Sequence, residues 1–246
     1  MSEQAKVALI TGANKGIGFE TARQLAGQGV YVLLGARDLA KGEAAAKTLD
    51  QEGLKVRAVK IDVADRADHK AIAELIQKEY GVLDILVSNA GVQLDGELGT
   101  NTTLEVSDEA LRATFDTNFF AVVALTKTLL PLLRKSAGGR IVNVSSILGS
   151  MSLHATVGSP IYNAKTFAYD ASKTALNSFT VHLAHELRDS KIKVNSAHPG
   201  WVKTDMGTDA APMDIVDGAK TEVWLATLPA HGPTGGFFHM QDPLPW

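Results

Sequence analysis

The stretch "VALITGANKGIGFE", residues 7–20, decides how the rest of the chain is read. It opens with a short apolar run, 7–10, the length of a buried strand. It leads into residues 17–28, where Ile17, Ala22, Leu25 and Ala26 recur at helical spacing. Between strand and helix, Gly12, Gly16 and Gly18 stand in a G-x-x-x-G-x-G spacing with Asn14 and Lys15 inside it. Glycines there permit a tight turn and close approach of a phosphate, and the following helix aims amide hydrogens and positive dipole at the anion. A glycine-rich turn without a ligand has the same composition. The position directly after the first strand is what favours the phosphate site. No Gly-Lys-Ser/Thr closes the motif, which excludes a Walker loop.

Outward from this unit the pattern alternates. Residues 30–36, 55–62, 83–91, 140–146, 192–200 and 235–240 read as strands, and 39–52, 66–79, 166–188 and about 214–227 as helices. A long helix runs from Ser107, an N-cap followed by acidic Asp108 and Glu109, to the glycines of "SAGG". Residues 92–106 are irregular and polar. Strands alternating with helices predict a doubly wound, Rossmann-like parallel sheet with helices on both faces, and the continuous apolar strands fit burial on both sides. No linker, repeat or low-complexity tract divides the chain, so 1–246 is read as a single domain.

The totals narrow the function classes. The net charge of −3 is spread along 246 residues without a basic stripe, which argues against nucleic acid. There are no cysteines, so disulfides, thiolate metal sites and a cysteine nucleophile are excluded, and no metal is expected. The N-terminus "MSEQAK" carries no signal-peptide pattern, and the apolar stretch 119–133, broken by Lys127 and Pro131, is shorter than the ~20 residues of a membrane span. A cytoplasmic location is expected.

In sheets of this type the end of the second strand discriminates dinucleotides: a carboxylate holds the ribose of NAD, an arginine the 2′-phosphate of NADP. Here the strand ends in Ala36, Arg37 and Asp38, and Lys15 lies in the glycine loop. Two cations near one phosphate favour NADPH/NADP+ over NADH. Asp38 is the competing residue, should the strand end slightly later.

With these positions in view, Gly12-Ala13-Asn14-Lys15-Gly16-Ile17-Gly18, Asp62, Asn89-Ala90-Gly91, Asn118, Ser146, Tyr169-x-x-x-Lys173 and Pro199-Gly200 occur in one order over essentially the whole chain. That order resembles the short-chain dehydrogenase/reductase family, and "TGANKGIG", "ARD" and "KEYGVLDILVSNAG" resemble its carbonyl reductases. The resemblance implies a seven-stranded parallel sheet and hydride transfer between a nicotinamide cofactor and a carbonyl or alcohol. It implies that Asp62 contacts adenine with Val63 beside it. Asn89, in the turn with Ala90 and Gly91, would contact the adenosine ribose, and the backbone near Val202 and the Thr204 hydroxyl the carboxamide. Asn89 is equally a turn residue capping "NAG".

Reducing a ketone needs a hydride on carbon and a proton on oxygen. A tyrosine of pKa about 10 is a poor shuttle, and nearby positive charge should lower that pKa. Lys173 lies one helical turn from Tyr169, so it is expected to tune the phenol and reach the nicotinamide ribose. Tyr162, with Lys165 three residues on and Pro160 before it, competes poorly. Ser146 closes a strand, where its hydroxyl could hold the substrate oxygen, and Ser145 should face the other way. Asn118 sits in an apolar helix. It is either a satisfied core amide or, as the resemblance implies, the holder of a water linking Lys173 to solvent.

Ser146 and Tyr169 are 23 positions apart, so part of 147–165 reads as an insertion. Related carbonyl reductases carry a longer one, which leaves monomer, dimer and tetramer open. Selectivity for a small-molecule carbonyl is expected from 92–103, 147–165 and 201–213. The last is read as a mobile lid with Trp201 and Met206 as an apolar wall. Alternatives to a carbonyl reductase are a 3-oxoacyl-carrier-protein reductase and a non-catalytic NADP sensor.

Overall fold

A computed structural model describes residues 5–96 and 103–246; the expected selectivity positions 97–102 lie outside the described residues. The strands are β1 (Val7–Ile10), β2 (Tyr31–Ala36), β3 (Val56–Lys60), β4 (Ile85–Ser88), β5 (Arg140–Val144), β6 (Lys193–His198), β7 (Phe237–His239) and β8 (Asp242–Pro243). They form one sheet in the order β3-β2-β1-β4-β5-β6-β7-β8. Strands β1 to β7 pair in parallel, with Ile10 beside Leu34 and Val144 beside Ala197, whereas β8 pairs antiparallel to β7. The sequence reading expects seven parallel strands. The eighth is a two-residue return after Met240, at φ 55°, in a proline-containing tail too short to show a period.

Two apolar layers sandwich the sheet, and the strands feed them alternately, as a period of two requires. Ala8, Ile10, Val32 and Leu34 join Ala22 and Leu25 of α1 (Gly16–Gly27), Leu49 of α2 (Leu39–Gln51) and Val223 of α9 (Lys220–Ala226). Val7, Leu9 and Leu33 join Ile72 and Ile76 of α3 (Arg66–Glu79), Leu125 and Leu129 of α5 (Ala121–Leu133) and Leu183 of α7 (Phe167–Glu186). Each such fully buried leucine or isoleucine contributes about 1.5–3 kcal/mol of transfer free energy.

Three segments depart from the expected outline. The helix starting after Ser107 is α4 (Asp108–Phe115), whose N-cap Ser107 accepts a hydrogen bond from Ala110 N as read from sequence. It continues into α5 through a π turn, Asp116–Phe120, that carries one surplus residue. The run Asp108–Leu133 has the length and apolarity of a membrane span, yet its leucines pack into the sheet. Residues 147–165 contain a 3₁₀ turn, Ile147–Gly149, and a short α6 (Met151–Ala155). The expected helix at 214–227 is split into α8 (Ile215–Gly218) and α9.

Because β1 to β7 run in parallel, the segments that leave their C-terminal ends gather along one edge. The strand order reverses between β1 and β4, the place where such sheets open a crevice for ligands.

Candidate active site

At that edge the glycine loop is shaped by contacts that exclude side chains. Gly12 adopts φ +63°, and a Cβ there would stand 3.0 Å from Ala90 Cα. A Cβ on Gly18 would stand 2.3 Å from Asn89 Nδ2. Gly16, at φ +60°, has only Thr204 Cγ2 nearby, at 3.7 Å. Helix α1 begins after Lys15 with no side-chain cap and no acidic residue in its first turn. Its leading amides around Gly16 and Ile17 are therefore unopposed by any carboxylate of their own helix, which fits an incoming phosphate. Asn14 is half-buried in the same loop.

Beyond β2, Arg37 is exposed. The Asp38 carboxylate N-caps α2, accepting from Lys41 N at 3.3 Å. Lys41, four residues after Arg37, lines one surface groove of about 410 Å³ with Lys15, Asn14 and Thr48. Lys15 is paired with Asp205 across the crevice at 2.5 Å, which holds the Asp205 carboxyl below its usual range. After β3, Asp62 Oδ1 accepts from Ala64 N, and Asp68 holds Asp62 N at 2.8 Å. The Val63 carbonyl is held by the buried ring of His69, also at 2.8 Å.

The turn after β4 is stitched to the glycine loop. Asn89 Nδ2 donates to the carbonyls of Thr11 and Gly12 at 2.8 and 3.1 Å. The Thr11 hydroxyl accepts from the amides of Asn89 and Ala90, both at 3.0 Å. Asn118, within the π turn and fully buried, clamps Val92 by accepting from its N–H and donating to its carbonyl, each at 2.8 Å. It also donates to Ser172 Oγ. The core-amide reading therefore holds in full. In addition, Asn118 Oδ1 and Lys173 Nζ converge on Gly91, lying 3.3 and 3.5 Å from where a Cβ there would be.

Tyr169 and Lys173 leave the same face of α7 into the edge beyond β5. Lys173 Nζ lies 5.5 Å from the Tyr169 ring centre and donates to Val144 O at 2.8 Å. Ser146, extended after β5, begins the 3₁₀ turn and accepts from Leu148 N. That turn is pressed onto α7 through Gly149, where a Cβ would stand 2.9 Å from the Lys173 carbonyl carbon. Ser145 is buried behind it, its N–H bonded to Ala197 O. Tyr162 is elsewhere: Lys165 lies 5.4 Å from its ring and bonds to His154.

The electrostatics differ from the expectation that Lys173 lowers the phenol. Burial dominates and pushes Tyr169 up to about 12. Ser146 acts in the opposite sense, and the charges of Asp170 and Asp95 add to the rise. Lys173 directs its ammonium to a backbone carbonyl below the ring, and burial brings it down to about 8, with Glu222 opposing.

The segment after β6 contains Pro199, buried, and Gly200 at φ +97° against Met213. The segment is tied together by its own hydrogen bonds. Met213 N donates to Trp201 O, Lys203 N to Met213 O, and Gly207 N to Thr204 Oγ1. Val202 is buried, and a Cβ on Gly207 would fall 2.0 Å from Val202 O. Trp201 donates its indole N–H to Gly207 O, and both it and Met206 are exposed.

A family model described as short chain dehydrogenase matches residues 6–214, the whole span that carries these loops. The chain belongs to that family. Among curated short-chain dehydrogenase relatives, carbonyl reductase (NADPH) 1 of Sus scrofa is 36% identical, with 100% of this chain and 96% of that protein covered. Carbonyl reductase (NADPH) 3 of Rattus norvegicus is 36% identical, covering 93% of each. Among solved structures, salutaridine reductase from Papaver somniferum superposes with a TM-score of 0.80 at 30% identity over 95% of this chain and 99% of that one. Carbonyl reductase Sniffer of D. melanogaster gives 0.84 at 29% identity over 99% and 100%.

The sequence reading of this dehydrogenase misses Thr11, Lys41, Gly149 and Glu222. Lys41 carries a faint signal, four residues beyond Arg37 at the start of a helix. Glu222 carries none. It is fully buried on α9, accepts from Thr21 Oγ1 at 2.8 Å, and is raised to about 8 by burial, Thr21 and Lys173 opposing.

Proposed function

We propose that the protein is an NADPH-dependent carbonyl reductase that delivers a hydride to the carbon of a ketone or aldehyde and a proton to its oxygen. The carrying observation is the convergence of the buried Tyr169 phenol, the Lys173 ammonium 5.5 Å from its ring and the Ser146 hydroxyl at the crevice edge. Full-length relatives named as NADPH carbonyl reductases support the same reading.

NADPH supplies the hydride when bound. Gly12, Asn14, Gly16, Ile17 and Gly18 would hold the pyrophosphate by backbone amides, and Arg37, Lys15 and Lys41 the 2′-phosphate. Asp62 and Val63 would hold the adenine, and Asn89, Ala90 and Gly91 its ribose. Pro199, Gly200, Val202 and Thr204 would hold the carboxamide, and Tyr169 and Lys173 the nicotinamide ribose.

Ser146 donates to the substrate oxygen and stabilises the alkoxide charge that develops there. Tyr169 gives up its proton to that oxygen. A phenol raised to about 12 is fully protonated at neutral pH and so stands ready as an acid. Lys173 stabilises the resulting phenolate, and its charge is present below about pH 8 and lost above. Asn118, beside Lys173 at Gly91, would hold a water that joins the ammonium to solvent, so that the proton Tyr169 gives up is replaced from solvent through that water and Lys173.

The test is a panel of activated ketones, α-ketoesters and a 3-oxoacyl thioester, followed by loss of NADPH absorbance. Turnover of ketones is expected, with a rate that falls above about pH 8. Turnover of the thioester alone would replace the reading with an acyl-chain reductase. Silence across the panel with NADPH still bound would replace it with a sensor.

A further inference from the structure

The first turn of a helix leaves amides without partners inside the helix, and a side chain at the N-cap ordinarily takes them. In α7 the N-cap residue, Thr166, does not. Its hydroxyl donates to Asp170 Oδ1 at 2.8 Å and its N–H to Asp170 Oδ2 at 3.0 Å. The amides of Ala168 and Tyr169 go instead to Asp95 Oδ2, at 2.8 and 3.3 Å. Asp95 lies 73 residues upstream, on the segment that leaves β4 through Gly91, and is only 2% exposed. Three residues before it, Val92 is clamped by Asn118. The segment is thus fixed at one end by the π turn and at the other by the start of α7.

We propose that Asp95 is a positioning residue for the reduction: from the loop after β4 it fixes the turn of α7 that carries the Tyr169 phenol. This rests on reading Tyr169 as the proton donor. One of the two amides held is that of Tyr169 itself, so a shift of the carboxylate is transmitted directly to the Cα that bears the phenol. The Ala168 amide, at 2.8 Å, makes a bond of charge-assisted length, and the Tyr169 amide, at 3.3 Å, is the longer second contact to the same oxygen. A carboxylate holds such donors more strongly than a neutral cap, which suits a contact that has to set position and not only end a helix. The carboxylate also belongs to the electrostatic surroundings of the phenol. Facing the phenol are Ser146 after β5, Lys173 and Asp170 on α7, and Asp95 itself, with His154 of α6 against Asp170. Asp95 and Asp170 both favour the protonated phenol.

The experiment compares Asp95→Ala, Asp95→Asn and Tyr169→Phe in the full chain. It measures ketone kcat, NADPH affinity, the pH profile, and hydrogen exchange of the amides at 168 and 169. Asp95→Ala is expected to lower kcat about 10- to 100-fold, the size of effect produced by misplacing a reacting group by about 1 Å. NADPH affinity should stay within about twofold, and exchange at the two amides should accelerate. Asp95→Asn keeps an acceptor oxygen, so it should recover kcat to within about fivefold of the parent. The titration of its Tyr169 phenol, read by ultraviolet difference against Tyr169→Phe, should move to lower pH because a charge that keeps the phenol protonated is gone, while the alkaline limb of kcat, set by Lys173, stays in place. Unchanged kcat and exchange in Asp95→Ala would overturn the proposal. Equal loss of kcat, NADPH binding and melting temperature in both Asp95 variants would overturn it too, by reducing Asp95 to a stability cap. Turnover surviving in Tyr169→Phe would instead refute the assigned acid, while the exchange data would still show whether Asp95 anchors the turn.

Discussion

The edge above β1 to β3 and the edge above β5 and α7 belong to one sheet, yet they are built in opposite ways. The first is made by leaving side chains out. Gly12 and Gly18 touch the turn after β4 so closely that a methyl group would collide. The second is made by side chains reaching backbone far along the chain: Lys173 to Val144, Asn118 to Val92, Asp95 to Tyr169. Adding an atom should therefore break the first edge, and removing one should break the second.

The sharpest test of that contrast is at the second edge. Tyr169→Phe removes one oxygen and should lower ketone turnover by about 10²- to 10⁴-fold, the usual contribution of a positioned acid. NADPH titration should show affinity nearly unchanged. At the first edge, Gly18→Ala adds one carbon 2.3 Å from Asn89 Nδ2 and 2.9 Å from Gly12 O. Overpacking of this kind costs about 1–3 kcal/mol, so NADPH affinity should fall about tenfold or more. Tight binding by Gly18→Ala would mean that the loop is not shaped by exclusion. Arg37→Asp leaves the loop backbone alone and should move the NADPH-to-NADH preference by about tenfold, read as the ratio of kcat/KM values. An unmoved ratio would transfer phosphate recognition to Lys15 and Lys41. The smallest effect is at Glu222, between the two edges. Its carboxyl goes from 4.5 unfolded to about 8 folded. Stability is thus intact below the first value and is lost as pH rises through the second. Glu222→Gln keeps the acceptor for Thr21 and cannot ionise. Thermal unfolding should show it several degrees more stable near pH 8 and little changed near pH 5. An equal shift at both pH values would show that ionisation is not involved.

The two edges were also unequally legible in the sequence. Glycine spacing after a strand is a local signal, and the loop it announces stands where expected. The resemblance placed Ser146, Tyr169 and Lys173, and the geometry brings them together. Their supports were hidden, because Asp95, Gly149 and Glu222 act only through contacts that the chain order does not reveal. Asp38 reads in the sequence as a competing ribose ligand, and its second use, as the cap that accepts from Lys41 N, is not foreseen there because a cap shows only once the helix start is known. The direction of the Tyr169 shift was misjudged because spacing reports that a lysine is near but not how dry the site is. Strand β8 escaped because two residues cannot display a period. The π turn escaped because one surplus residue barely alters an apolar stripe.

That surplus residue gives the long helix an unusual relation to chain length. Each residue of an α-helix turns the chain by about 100°. Deleting one position between Asp116 and Phe120 would leave an evenly wound rod, fully hydrogen-bonded and still greasy on its inner side. The same deletion would rotate one half against the other and swing the Asn118 amide off the strand-four loop. Shortening the protein at this point should therefore release Val92 from the Asn118 clamp, whereas shortening it in the uniform coil of α7 would shift the turn that bears Tyr169 against the one that bears Lys173.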